Sequence, residues 1–408
     1  MLRAVGNGKK KVVKASIANI GKKIYELDDA RSSQRILPME GLRGLAVILV
    51  FFVHYHALFG SQLPSDSITF ALSALLECVG HSGVDLFFVL SGYLIYSILM
   101  KGSLDHLKFI RRRVNRIYPT FLFVLGIYLA LSMIFLSENK IPADRTAAAF
   151  YILQNILLLP GMFNIQPIIA VAWSLSYEFF FYFLMPVLMS VLGIRLWAKS
   201  RRVIFFVVVS AIAIAVSLAG FQFRIQLTLF ISGILVYEAL KHMQGRELRR
   251  ADWYGTIALA GTLTLIYLIS PQQGHLRFLP GMERNWWNYR ESFLMPGFFA
   301  FVFFSLVAKT FLKNALSWQP LRWLGNMSYS YYLIHGLTLK GIGLGLSLVL
   351  VKPSNPLVLF WVALPISFLL TLVSSTVLFV FIEKRFSLVT AKPQPRSSAT
   401  VAVPELTS

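Results

Sequence analysis

The sequence predicts an all-α polytopic membrane protein with ten transmembrane helices and an additional short external membrane-surface helix. Of its 408 residues, 56% are hydrophobic and only 14% are charged, whereas soluble domains carry about 25% charged residues. Apolar runs of about 18 residues or more recur along the chain, and each is long enough to cross the hydrocarbon core. The basic residues lie between these runs and in the two tails, where the charges that orient a membrane protein belong.

Eleven apolar runs are candidates for the spans. The fourth has about 14 residues and contains Gln154 and Asn155, which is typical of an interfacial or re-entrant segment. The runs lie near residues 41–59, 72–100, 117–137, 147–160, 171–192, 203–220, 224–240, 255–270, 293–312, 326–351 and 356–382.

Loop charge decides whether the fourth run crosses the membrane. The connections rich in lysine and arginine are 101–116, 193–202, 241–250 and 309–322. Positive loops stay in the cytoplasm, and all four share one side only if 147–160 does not cross. We therefore predict ten spans with both termini cytoplasmic, and an external excursion over residues 138–170 that holds the short helix.

Composition also sets the domain limits and excludes several classes of protein. We expect a basic, disordered cytoplasmic arm over residues 1–35, a membrane domain over 36–386 and a disordered cytoplasmic tail over 387–408. The net charge of +21 forms no basic stripe with interleaved aromatic residues, so no nucleic-acid partner is expected. Cys78 is the single cysteine, which excludes an intramolecular disulfide and a cysteine metal cluster. No metal site is predicted.

Ionisable residues inside spans mark functional sites by default, because burying a charge in lipid is costly. Arg43 and His54 lie eleven residues apart in the first span. Eleven helical steps return to within roughly 20° of the same face, with a rise of about 16 Å, so both side chains point at one seam. The alternative is that Arg43 snorkels to the interface and His54 is a hydrogen-bonded packing residue.

The second span contributes Asp85 near its outer end and Ser91 in its middle. Asp85 could orient a histidine or form a charge pair with it, or it could be an interfacial carboxylate at a helix start. Ser91 precedes a glycine, and small residues let helices pack closely, so packing is favoured over a nucleophile. On the adjoining basic connection, Arg113 and Arg116 are three residues apart and face the same way. Paired guanidinium groups suit phosphates, although an arginine cluster can also serve topology alone.

Two later spans carry further polar residues. Trp173 and Glu178 lie at the outer end of theirs, and a carboxylate there needs a partner. It could hold a histidine tautomer or bind a sugar hydroxyl beside a stacking Trp173, or both residues could be structural. Tyr329, Tyr332 and His335 recur every three residues and form a polar stripe, or an aromatic packing stripe. At the end of the last span, Glu383 could pair with a cytoplasmic arginine.

The sequence resembles the acyltransferase-3 family of integral membrane O-acyltransferases, of the stand-alone type. The resemblance covers roughly residues 36–386, and the family's ten-helix core agrees with the number of spans predicted from charge. Family patterns of Arg-x10-His, Arg-x-x-Arg and Trp-Ser-Leu-x-x-Glu match Arg43 with His54, Arg113 with Arg116, and Trp173 with Glu178. The resemblance is carried by five segments in order, "GLRGLAVILVFFVHY", "GVDLFFVLSGYL", "RRRVNRIYP", "WSLSYEFFFY" and "MSYSYYLIH".

This resemblance implies a function in a bacterial inner membrane. Acetyl-CoA would be the acyl-donor substrate, with no permanently bound cofactor, and the acceptor would be a hydroxyl of a lipid-linked or polymeric glycan such as an exopolysaccharide. His54 would act as general base or transient acyl carrier, with Glu178 and Asp85 orienting it or the acceptor. The donor phosphates would be held by Arg43, Arg113 and Arg116, and the acceptor by Trp173, Tyr332 and His335.

Two other classes of membrane protein are alternatives, because each can contain buried polar groups within ten helices. A transporter would show an inverted repeat or paired broken helices, and neither stands out in this sequence. A structural or regulatory membrane protein would not need a buried arginine, histidine and glutamate together. Acyl transfer is therefore the favoured function.

Overall fold

The computed structural model describes residues 19–26, 36–101, 105–135, 139–220, 225–243, 248–270, 286–349 and 355–388. These residues form fifteen helices and no extended strand. The helices are α1 (residues 19–25), α2 (Leu37–Phe59), α3 (Ile68–Gly80), α4 (Ser82–Lys101), α5 (His106–Ile134), α6 (Arg145–Ile156), α7 (Ala172–Val191), α8 (Lys199–Leu218), α9 (Leu227–His242), α10 (Ala251–Ile269), α11 (Trp286–Val307), α12 (Phe311–Leu316), α13 (Gln319–Asn326), α14 (Ser328–Val349) and α15 (Pro356–Leu378), which continues as a π-helix over Phe379–Ser387.

The predicted all-α membrane architecture is confirmed. Eight helical segments of the described chain are long and apolar enough to cross a membrane, with α3 and α4 together forming one of them. The other two predicted spans, at 224–240 and 326–351, are the helices α9, with 16 residues, and α14, with 22 residues. The short run at 147–160 contains α6, a helix of 12 residues, which is too short to span.

Capping residues in the sequence define several helix starts. Asp105, Asp144 and Ser67 each accept a hydrogen bond from a backbone N–H of the first helical turn. Each of these bonds satisfies one of the four donors that a helix start leaves without an intrahelical partner. The caps fix where α5, α6 and α3 begin. In α5, the first residue and the helical repeat together determine which side chains face the interior.

Helix α2 lies at the centre of the domain and packs against α3, α4, α13 and α14. Helices α4 and α9 cross at close range through two glycines. A Cβ added at Gly92 would lie 2.0 Å from the Phe230 carbonyl oxygen, and one added at Gly233 would lie 2.0 Å from that of Val89. Small residues at such crossings allow membrane helices to pack backbone to backbone, and this crossing holds α4 rigidly beside α2.

Part of the predicted disordered arm is packed. Residues 19–26 lie against α13 and α15, where the Tyr25 ring stacks on Trp323 with 5.5 Å between centroids. The Tyr25 hydroxyl lies 3.0 Å from Thr376 Oγ1, and Arg322 pairs with Glu26. These contacts differ from the expectation of disorder. The rest of the predicted arm, residues 1–18 and 27–35, and the predicted tail from 389 onwards lie outside the described residues.

Candidate functional site

Two cavities lie along α2 and α14. The first, called here the arginine cavity, has a volume of about 130 Å³ and is lined by residues of α2, α4, α5, α7 and α14. The second, called here the histidine cavity, has a volume of about 720 Å³ and is lined by His54, the second half of α5, residues 140–141 and 168–171, and α14. The polar groups of the arginine cavity include Arg43, Ser91, Arg113, Arg116, Glu178 and Tyr332.

Helix α2 contributes one ionisable residue to each cavity, and the two residues are eleven positions apart. Arg43 lines the arginine cavity and His54 lines the histidine cavity, separated by about 16 Å of helix rise. The shared face of α2 therefore presents a cation to one cavity and an imidazole to the other. The structure places the two residues on one face of α2, each lining a different cavity.

The three arginines of the arginine cavity differ in what they contact. Arg116 Nη1 lies 2.7 Å from Glu383 Oε1, which is the pairing expected for Glu383 from the sequence. Arg113 lies over the rings of Phe109 and Tyr182, at 5.3 and 5.5 Å from the centroids. Within the described chain, neither Arg43 nor Arg113 forms an ion pair. Two of the three guanidinium groups are thus available for an anion.

Glu178 belongs to the arginine cavity. Its Oε1 accepts hydrogen bonds from Ser91 Oγ at 2.9 Å and from the Tyr182 hydroxyl at 2.6 Å. The sequence grouped Glu178 with the outer side and with His54, but the structure shows no contact between them in the described residues. Glu178 is separated from the outer side because it lies two turns into α7, about 10 Å along the helix from Val171 at its start. Ser91, expected mainly as a packing residue, is a polar group of the cavity.

His54 and His335 face each other, with 4.7 Å between ring centroids. His335 is fully buried, and its Nδ1 lies 2.8 Å from the Tyr332 carbonyl oxygen and 3.1 Å from that of Tyr331. A nitrogen between two carbonyl oxygens must carry the proton, since those oxygens only accept. His335 Nε2 is then an acceptor, and it has no hydrogen-bond partner among the described residues. This acceptor beside the His54 ring was not anticipated from the sequence, which placed His335 at the acceptor substrate.

Tyr332 lies between the two cavities. Its ring lines the arginine cavity, and its hydroxyl lies 2.6 Å from Ser174 Oγ and 3.1 Å from the carbonyl oxygen of Val171, which lines the histidine cavity. The link between Tyr332 and Ser174 therefore forms part of the partition between the cavities. Trp173, the expected sugar-stacking residue, packs edge-on against Tyr177 and Phe88 and is not among the residues that line either cavity.

Asp85 lies in a separate buried charge cluster. Arg290 Nη2 donates to Asp85 Oδ2 at 2.7 Å and Nη1 donates to Glu291 Oε1 at 2.7 Å. All three side chains are nearly inaccessible to solvent. The sequence gave Asp85 a histidine partner as one alternative, and Arg290 and Glu291 lie just before the apolar run predicted to begin near residue 293. The structure instead shows both in the first turns of α11, 205 residues along the chain from Asp85, and shows no contact between Asp85 and His54 in the described chain.

We expect Asp85→Asn to destabilise the protein rather than to alter its chemistry. Removing one member of a buried ion pair leaves an uncompensated charge and costs about 3–5 kcal/mol. The melting temperature of the purified protein should fall, whereas the turnover number of the fraction that stays folded should remain near the wild-type value. Asp66→Asn, an exposed carboxylate change before α3, is the control. A large fall in turnover at unchanged melting temperature would instead return Asp85 to the catalytic role expected from the sequence.

A second buried pair was missed by the sequence analysis. Arg202 Nε and Nη2 donate to the two carboxylate oxygens of Glu238 at 2.7 and 3.0 Å, and the Tyr96 hydroxyl donates to the same carboxylate at 2.7 Å. Glu238 lies inside the apolar run at 224–240, where a lone carboxylate is itself a signal of a partner. This network contacts neither cavity and joins α4, α8 and α9.

The fold and the site define an integral membrane protein with an arginine-lined cavity, and with a histidine pair beside a second cavity. The family model described as an acyltransferase domain, that of the acyltransferase-3 family, matches residues 37–380. The chain therefore belongs to the acyltransferase-3 family of membrane enzymes.

Curated relatives share this domain. The chain is 29% identical to the O-acetyltransferase OatA of Staphylococcus aureus strain NCTC 8325, over 74% of the chain and 50% of that protein. It is 25% identical to the peptidoglycan O-acetyltransferase OatA of Listeria monocytogenes, over 75% of the chain and 50% of that protein. The chain spans about half the length of the curated relatives it matches. No solved structure matches it.

Proposed function

We propose that the protein is a membrane O-acyltransferase that moves an acetyl group from acetyl-CoA to a hydroxyl of a cell-surface or lipid-linked carbohydrate. The observation that carries this proposal is the single seam on which α2 presents Arg43 to one cavity and His54 to the next. The family match supports acyl transfer, and the activities named for the relatives, both O-acetyltransferases, support acetyl as the group and oxygen as the acceptor atom.

The arginine cavity would receive the donor. Arg43 and Arg113 offer guanidinium donors to the phosphates of acetyl-CoA, and charge-assisted hydrogen bonds of this kind are about twice as strong as neutral ones. Arg116 is already paired with Glu383 and would act mainly through its charge. A cavity of about 130 Å³ holds only a part of the coenzyme. The nucleotide would lie partly outside it along the basic start of α5, and the pantetheine arm would pass the Tyr332–Ser174 partition to bring the thioester to His54.

The histidine pair would carry out the transfer. His335 Nε2 can accept a hydrogen bond from one N–H of His54, which leaves the other nitrogen of His54 with a lone pair. A neutral imidazole can take the proton of the acceptor hydroxyl as its oxygen attacks the thioester carbonyl. The thiolate of coenzyme A then leaves and takes up a proton. Transient acylation of His54 itself is the second route, and the same tautomer serves it.

His335→Phe tests the positioning role of His335. Phenylalanine keeps a ring against Tyr331 but removes the Nε2 acceptor to which His54 would donate in the proposed reaction, so the tautomer of His54 would no longer be selected. We expect the turnover number to fall by up to about 100-fold, a share of the 10²–10⁴ that general base catalysis contributes, with the KM for acetyl-CoA unchanged. Tyr331→Phe, which removes a neighbouring buried hydroxyl that has no partner among the described residues, should have little effect. Equal losses in both variants would indicate a packing role alone.

The proposed orientation follows from the basic loops. The end of α5 that carries Arg112 would face the cytoplasm together with both termini, in a bacterial inner membrane, because positive loops stay inside. Cys78 is buried, so cysteines introduced as Arg112→Cys and Lys140→Cys can be labelled selectively in intact spheroplasts. A membrane-impermeant maleimide should label position 140 and not position 112. The reverse pattern would invert the orientation.

Purified protein in detergent, given radiolabelled acetyl-CoA and glycan fractions of the native envelope, tests the function directly. Transfer of label to a glycan is expected without any membrane gradient, which a transporter could not achieve. Mass spectrometry of surface glycans from cells with and without the gene should show the loss of an acetyl increment, and so identify the acceptor. Absence of label on every fraction, in protein that binds acetyl-CoA and retains its fold, would overturn the proposed function.

A further inference from the structure

The lining of the histidine cavity does not suit a bare sugar. Its volume of about 720 Å³ is within the 300–1,000 Å³ that is typical of ligand sites. Its walls are mostly apolar, with Leu131 on α5, Phe135 directly after it, and Leu333, Leu337 and Leu344 on α14. Among the described residues, no carboxylate, carboxamide, arginine or tryptophan lines it. The polar side chains of the lining are His54, Tyr128, Ser132, Lys140, Lys340 and Ser347. Sugar hydroxyls placed along the apolar walls between them would lose water and gain few partners.

The α14 wall is kept wide by glycines. A Cβ added at Gly341 or Gly345 would meet nothing within 4 Å, and one added at Gly336 would meet only the Tyr128 hydroxyl at 3.9 Å. At Gly92, by contrast, a Cβ would lie 2.0 Å from the backbone of α9. Each glycine destabilises a helix by about 1 kcal/mol, and these three do not serve helix packing. We infer that they keep the space of the histidine cavity beside α14 open. The wall from Leu333 to Leu348 runs about 22 Å along the helix.

Two lysines are among the residues of this apolar cavity, and Lys140 Nζ also donates to the Pro167 carbonyl oxygen at 3.0 Å. Lys140 and Lys340 both line it, and the ammonium group of lysine binds phosphate as a point charge. Along α14 the order is Gly336 beside the histidine pair, then Lys340 about 6 Å further on, then the apolar stretch to Leu348. A distance of about 6 Å is about the size of one sugar ring.

We propose that the acceptor reaches His54 as the headgroup of an amphipathic lipid. Its aliphatic chain lies in the histidine cavity between α5 and α14, its phosphate lies against Lys340 and Lys140, and the sugar it carries presents a hydroxyl to His54. This inference rests on the proposed function, and it specifies that the acceptor is a lipid-linked glycan rather than a free polymer.

Binding of hexadecyl phosphate to the purified full chain tests the inference without relying on activity. Saturable binding is expected, with hexadecanol, which lacks the phosphate, and glucose 1-phosphate, which lacks the chain, at least about tenfold weaker. Gly341→Leu/Gly345→Leu should fill the cavity and weaken binding of hexadecyl phosphate by about tenfold or more. Gly126→Leu/Gly261→Leu, at two helical glycines that also have open space but do not line the cavity, is the matched control and should bind as the wild type does.

Lys140→Gln/Lys340→Gln provides a second test that does not depend on the fold of the leucine variant. The preference for hexadecyl phosphate over hexadecanol should fall to near one. An unchanged preference, or equal competition by phosphatidylglycerol, would overturn the inference and make the cavity a site for bulk membrane lipid. Tighter binding of hexadecanoyl-CoA than of acetyl-CoA, lost in the leucine variant, would overturn it in favour of a long acyl chain on the donor.

Acetyl-CoA binding, measured on the same variants, separates this inference from the proposed function. It should be unchanged in the leucine and glutamine variants, because the arginine cavity is untouched. If label is transferred to water-soluble glycans and hexadecyl phosphate does not bind, the inference fails and the proposed function stands. If the wild type neither binds acetyl-CoA nor transfers label, the proposed function itself fails.

Discussion

Replacing His54 by alanine is expected to reduce acetyl transfer by at least about 100-fold, the lower range of what a general base contributes. The loss should appear in the turnover number, with the KM for acetyl-CoA near the wild-type value, because Arg43 and Arg113 lie in the other cavity. Both routes open to His54 predict this result, since a base and an acyl carrier are equally lost. Steady-state kinetics with labelled acetyl-CoA and purified protein measure it.

His56→Ala is the matched control. His56 is two residues further along the same helix, with its Nδ1 2.8 Å from Ser73 Oγ and its Nε2 3.6 Å from Glu77, and it lines neither cavity. Its loss should leave the turnover number within about twofold, as is usual for changes outside the catalytic constellation, while costing some stability. Normal activity in the His54 variant, in protein of normal melting temperature, would remove His54 from the mechanism.

The Arg43→Gln/Arg113→Gln double variant is expected to show the second large effect, a KM for acetyl-CoA about 100-fold higher or more. A hydrogen bond to a charged group contributes about 1.5–3 kcal/mol, and about 1.4 kcal/mol corresponds to a tenfold change in affinity. Isothermal titration with acetyl-CoA should show the same weakening, and coenzyme A should lose affinity in parallel because it carries the same phosphates.

Arg111→Gln/Arg112→Gln supplies the control for this experiment, because both arginines are exposed and directly precede Arg113 on α5. The control loses the same charge, but at positions that do not line the arginine cavity. An equal rise in KM in the control would show that the arginines act only as a diffuse basic surface. Arg116→Gln is a poorer test of donor binding, since it would leave Glu383, which is fully buried, without its cation and so lower stability.

The sequence predicts most of the fold because its signals are local. Hydropathy and loop charge place the ten spans, since length and charge are properties of each segment alone. The position of Arg43 and His54 on one face follows from the helical repeat. The same repeat places Arg113 and Arg116 side by side, but it does not reveal that Arg116 is paired with Glu383.

The rest of the site depends on contacts between distant segments. The Asp85–Arg290 pair joins residues 205 positions apart, and the Tyr332–Ser174 bond joins residues 158 apart. No periodicity in one helix can predict which other helix lies against it. The depth of Glu178 depends on where α7 starts within the domain, and that is set by the buried residues Ile168, Ile169 and Val171 before it. The hydrogen bonds that fix the tautomer of His335 become visible only in the fold.

The central claim is that an acetyl group passes from a donor in the arginine cavity to an acceptor in the histidine cavity, and so across the membrane domain. The most direct test uses sealed proteoliposomes that carry the acceptor, with radiolabelled acetyl-CoA supplied only on the side of the Arg112 loop. The account predicts labelled acceptor on the opposite side, and loss of that label in the His54 variant. Label that appears only on the side of supply, or equally in the His54 variant, would contradict it.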